Sequence, residues 1–90
     1  MVAEEFVTAK HQTWEQLASL TKQAQSNIVS MNAGDLQTLG RLYRQATSDL
    51  AQARRDYPGH AVTVYLNDLV AQGHNAIYRE RSSAFSNLKR

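Results

Sequence analysis

Asn67, His74, Tyr78 and Phe85 are the side chains whose types and spacing best suit a specific chemistry. At about 100° per residue they fall within roughly 40° of one another on a helix, centred more than about 100° from the middle of the apolar stripe of the same segment. An amide, an imidazole and two aromatic rings on one strip can donate, accept and stack, which is the chemistry of recognition rather than of bond breaking. These four form the candidate interaction face. Arg44 and Arg79 can add ion pairs to it, while Tyr43 and Tyr65, at the edges of their apolar stripes, can bury a ring and bond the hydroxyl to Asp49, Arg54 or Asn67. Those four are secondary candidates.

Catalysis finds no constellation. Neither paired core carboxylates nor a serine with a suitably spaced histidine and acid occurs, so no catalytic residue is expected. The absence of cysteine excludes a thiol nucleophile, a disulfide framework and a thiolate metal site. His11, His60 and His74 are scattered over three segments, so neither a metal nor a cofactor is expected. Gly34, Gly40, Gly59 and Gly73 lack the spacing of a phosphate-binding loop.

Arg41, Arg44, Arg54 and Arg55 share one segment and could attract phosphates, but their azimuths scatter and Asp35, Asp49 and Asp56 interleave. A nucleic-acid-binding bundle is therefore an alternative rather than the leading reading. A second alternative is a small-molecule sensor with its ligand between helices near Tyr43, Tyr65 and Gly73.

Three helical periods position these groups. Phe6, Thr13, Leu17, Leu20, Ala24 and Ile28 form one stripe, predicting a helix over about 3–28, and Trp14 on its flank is expected to be buried against the second or third helix. Lys10 shares a core azimuth; its stem is expected to cover apolar surface while the ammonium reaches water. Asn32 supplies a cap and Asp35 a carboxylate at the positive end of a second helix, about 33–57. Its stripe is Leu36, Leu39, Leu42, Tyr43, Ala46, Leu50, Ala53 and Tyr57, and Pro58-Gly59 stops it. A third helix, about 61–85, carries Val62, Tyr65, Leu66, Leu69, Val70, Gly73, Ala76 and Ile77.

The short second connection makes the last two helices antiparallel neighbours, and the longer first one lets the first helix pack along both. The expectation is an all-α, up-down-up antiparallel three-helix bundle forming a single domain. Ninety residues bury a modest core, so self-association would supplement its stability. A hydrophobic content of 42% with 20% charged residues fits a folded chain.

No apolar run approaches the roughly 20 residues that cross a bilayer. Glu4 and Glu5 stand where a secretory signal needs positive charge, so the cytoplasm is the expected compartment. Net charge is +2, with the basic excess at the C-terminal end in Arg79, Arg81, Lys89 and Arg90.

Read together, Phe6 with Trp14-Glu15-Gln16-Leu17, Leu42-Tyr43-Arg44 with Asp49-Leu50 and Ala53-Arg54, Tyr57-Pro58, Tyr65-Leu66-Asn67 with Leu69-Val70, His74, and Ile77-Tyr78-Arg79 resemble the stage II sporulation protein M family. Gly73 stands where that likeness implies a larger residue. The resemblance implies the helical N-terminal region of a multi-spanning bacterial or archaeal membrane protein, held at the cytoplasmic face, with membrane segments downstream of Lys89-Arg90. It also implies an assembly role, since wall-degrading activity in the sporulation complex belongs to partner proteins. The expected partners are accordingly another protein or a second copy, as in a homodimer.

Overall fold

The computed structural model describes residues 3–27 and 30–88, and side chains as far as Tyr78. It contains three helices, α1 (Ala3–Asn27), α2 (Ala33–Asp56) and α3 (Ala61–Leu88), each packed against the other two. This is the three-helix bundle that the periodicity predicts. Their ends differ a little from expectation. Ile28, which would continue the first stripe, lies outside the described residues. The second helix stops at Asp56 rather than 57, because Tyr57 leaves helical geometry (φ −133°, ψ 53°) ahead of Pro58. The third continues to Leu88 rather than 85, there being no Gly or Pro after Gly73 to end it.

Local chemistry fixes where α2 begins and ends. Asn32 Oδ1 accepts the Asp35 N–H at 2.7 Å, capping α2, and Arg54 and Arg55 occupy its negative C-terminal turn. Gly59 takes φ +78°, which a side chain would strain, and lets the chain reverse into α3. There His60 Nδ1 accepts the Val62 N–H at 3.0 Å, a cap absent from the sequence reading.

Phe6, Leu17 and Ala24 of α1 meet Leu39, Leu42, Ala46, Leu50 and Ala53 of α2, and Val62, Leu66, Leu69 and Ala76 of α3. Each fully buried leucine is worth roughly 1.5–3 kcal/mol relative to an exposed one. Met31 of the first connector joins this core, although the connector's polarity gave no sign of it. Tyr57, Phe6, Trp14 and Tyr65 form a run of rings with successive centroids 5.5, 5.4 and 6.0 Å apart, closing the end of the bundle beside the α2–α3 turn.

Inside this core sits a charged residue. Asp49 is 2% exposed, and its Oδ2 accepts the indole N–H of Trp14 at 2.8 Å. Its Oδ1 receives Gln45 Nε2 at 3.2 Å and lies 3.4 Å from the Lys10 ammonium. One expectation is thereby corrected. Lys10 does cover apolar surface, but its ammonium turns inward to Asp49, because an otherwise uncompensated buried carboxylate attracts it more than water does. Trp14 is buried in the core, as its place beside the first stripe leads one to expect, and is tethered there by its only polar atom.

Thr21 is also buried, at 1% exposure, and its hydroxyl has no hydrogen-bond partner among the described residues. A buried unpaired hydroxyl carries its full desolvation cost, so Thr21→Val should stabilise the bundle by on the order of 1 kcal/mol. Urea denaturation followed by circular dichroism checks this; an unchanged or lower midpoint means that the hydroxyl is satisfied in solution.

Candidate functional site

The helix-3 strip centred on Asn67, His74 and Tyr78 does not face away from the bundle. It overlooks the seam with α2, and its members acquire partners there. Arg54 Nη2 donates to Asn67 Oδ1 at 2.8 Å. The Tyr43 hydroxyl lies 3.3 Å from His74 Nδ1, a long hydrogen bond, and the two rings are 6.3 Å apart. His74 in turn packs on Tyr78, with centroids 4.8 Å apart and planes inclined at 58°.

Asn67 is thus tied to Arg54, about two turns of α3 from His74, and belongs to the seam. His74 and Tyr78 belong to a notch. Its walls are Tyr43, His74, Ile77 and Tyr78, its far side is Gly40 and Arg44, and its volume is about 230 Å³. The structure therefore brings together Tyr43, Arg44, His74 and Tyr78, drawn from both the leading and the secondary candidates. The side chains of Phe85 and Arg79 lie outside the described ones.

Two features make the notch distinctive. Tyr78 is 63% exposed, a large ring left open to solvent above a structured floor. Arg44 pairs with no carboxylate among the described residues, and its guanidinium lies back over Gly40. Gly73 explains the geometry. A Cβ there would stand 3.0 Å from Tyr43 Cδ1, so the missing side chain is what lets the Tyr43 ring lie flush against α3. The larger residue that the resemblance implied would not fit without moving the ring.

Tyr65 is elsewhere. It lies about two turns before Gly73 on α3 and lines a separate apolar groove of about 410 Å³ with Val7, His11, Trp14, Glu15, His60, Ala61 and Val62. Tyr43, Tyr65 and Gly73 therefore do not surround a common space. The hydroxyl partners expected for the two tyrosines were wrong as well: Asp49 is taken by Trp14 and Lys10, and Arg54 and Asn67 by each other.

Burial in the groove, and secondarily the carboxylate of Glu15, push the Tyr65 phenol above its ordinary 10.0. Because the folded value is raised, the associated stabilisation is complete below pH 10.0 and is lost as pH rises through the folded value. In an ultraviolet titration Tyr65 should ionise above the ordinary value of 10.0, and Glu15→Gln should move its midpoint only part of the way back, since burial remains. A midpoint unmoved by Glu15→Gln would remove the carboxylate's part.

His11 and His60 share this groove, yet no group of three His, Cys, Asp or Glu among the described residues could hold a metal ion. Of the cations on α2, Arg55 pairs loosely with its neighbour Asp56 and Arg54 is engaged with Asn67, whereas Arg41 and Arg44 line a shared hollow beside the notch.

The sequence overlooked the Asp49 cluster and Thr21. A signal was present: Lys10, Thr21 and Asp49 lie at the azimuths of their helices' apolar stripes, Asp49 about 20° from Leu42.

Residues 4–79 match the family described as Domain of unknown function (DUF8413), and the chain belongs to that family. No curated protein and no solved structure matches it.

Proposed function

We propose that this member of the family is a non-catalytic interaction module that docks a protein partner or a second copy of itself through the notch between α2 and α3. The observation that carries the reading is Tyr78, exposed at 63% but stacked on His74, whose ring is itself held by Tyr43. An aromatic side chain already ordered by its neighbours loses little conformational freedom on binding, which is why such residues dominate interface energetics. Asn67 and Arg54 keep the seam closed beside it rather than contacting the partner.

The setting belongs to the same proposal. No helix among the described residues is long and apolar enough to cross a membrane. The likeness to the stage II sporulation protein M family supports a place at the cytoplasmic face of a membrane, with spans encoded downstream.

Light scattering over a range of concentrations, together with capture from cells producing the chain, tests the docking role. We expect concentration-dependent dimers or a captured partner, either weakened at least about tenfold, or about 1.4 kcal/mol, by Tyr78→Ala and by His74→Ala with little change in thermal stability. A chain that stays monomeric, and whose captured proteins are unchanged by Tyr78→Ala, overturns the reading.

A further inference from the structure

We infer that the occupant of the notch is an acidic peptide segment of a partner protein, which sets a carboxylate on Arg44 and an apolar side chain against Tyr43, His74 and Tyr78. The inference rests on the docking role of this notch and adds the chemistry of what enters it.

Size argues against a small-molecule ligand held in the notch alone. About 230 Å³ lies below the roughly 300–1,000 Å³ of pockets that enclose small molecules, so the notch takes one side chain and its neighbouring backbone rather than a cofactor.

Charge selects the rest. Arg44 lines both the notch and the adjoining hollow with Leu36, Gln37, Thr38, Gly40 and Arg41, and no carboxylate among the described residues lines either. Arg54 and Arg55, by contrast, already have partners, so Arg41 and Arg44 are the cations of α2 without one among the described residues. A planar guanidinium without an acceptor is suited to bind a carboxylate through two parallel N–H donors. The guanidinium lies low over Gly40, 3.6 Å from where a Cβ would be, an ordinary contact distance. Ile77 and the Tyr78 ring beside it make the pocket amphipathic, so a bare anion leaves the apolar half unfilled.

The test is a nuclear magnetic resonance titration of the whole chain with the end-blocked peptide Glu-Asp-Phe-Glu-Glu and its uncharged counterpart Gln-Asn-Phe-Gln-Gln. Saturable shifts of the Arg44 Nε–H and the Gly40 amide with the acidic peptide are expected. They should weaken at least about fivefold from low to physiological salt; the Gly40 shift should vanish in Arg44→Ala, and both shifts in Tyr78→Ala. Equal binding of both peptides, or no saturable shift with either, overturns the inference. Inorganic phosphate or acetate producing the same shifts at the same concentrations also overturns it, reducing the site to a simple anion hollow. Dimerisation that falls with Glu4→Gln and Glu5→Gln makes a second copy the occupant and overturns the peptide assignment. If Tyr78-dependent association persists while the acidic peptide fails to bind, only the chemistry is wrong and the docking role stands.

Discussion

Asp49→Ala should destabilise the bundle by about 3 kcal/mol, because a hydrogen bond to a charged acceptor contributes roughly 1.5–3 kcal/mol and the indole N–H of Trp14 is then left buried without an acceptor. At roughly 4–8 °C per kcal/mol for a domain of this size, the melting temperature should fall by about 12–24 °C. Lys10 adds little to that figure. Its side chain is 35% exposed, so its ammonium can return to water, and partly exposed ion pairs contribute about 0–1 kcal/mol. Lys10→Met leaves the buried carboxylate without its counter-ion but still bonded to Trp14 and Gln45, and should cost less than Asp49→Ala.

Two further variants separate the causes. Asp49→Asn keeps an oxygen that can accept from the indole and should cost about half as much as Asp49→Ala. Trp14→Phe combined with Asp49→Leu removes donor and acceptor together, so the double variant should be less destabilised than the two single changes added. Because Trp14 is the sole tryptophan, its fluorescence reports the site directly. Should Asp49→Ala lose under about 1 kcal/mol with Trp14 emission unchanged, the carboxylate is a bystander.

The bundle itself was legible because helical period depends only on which positions are apolar, and Leu17, Leu39, Leu42, Leu66 and Leu69 all lie where the pattern puts them. The Asp49 cluster was not, for a physical reason. Lys10 and Asp49 stand at core azimuths, but a charged residue there is read as solvated unless its partner is known, and the partners are 35 and 39 positions apart in sequence. The site was half legible. The azimuths grouped His74 and Tyr78 correctly and grouped Asn67 with them, yet could not show that α2 passes beside that strip. Only the crossing of the helices assigns Asn67 to Arg54 and His74 to Tyr43. Arg44 joined the notch because its long side chain lies back over Gly40, a choice of rotamer that no spacing rule contains.

Gly73→Val should remove both stability and recognition. Valine is a slightly better helix former than glycine, by a few tenths of a kcal/mol, but its Cβ would sit 3.0 Å from Tyr43 Cδ1 before either γ carbon is placed. Overpacking of this kind costs about 1–3 kcal/mol, and the displaced ring also releases His74, so a net loss of about 2 kcal/mol is expected. Gly73→Ala tips the other way. It gains about 1 kcal/mol of helix propensity, and the Tyr43 ring is half-buried with its outer end held only by a 3.3 Å bond, so it can shift a few tenths of an ångström. Alanine should then fall within about 0.5 kcal/mol of the native chain and retain association through Tyr78. Chemical denaturation with the His74 ring resonances followed in parallel distinguishes the two. A valine variant as stable as the native chain, with His74 undisturbed, would show that Tyr43 does not depend on the missing side chain. The expected result ties the fold to the site at one residue: the notch depends on α3 presenting nothing bulkier than a methyl where the Tyr43 ring lies, and Tyr43 in turn holds the imidazole on which Tyr78 stacks.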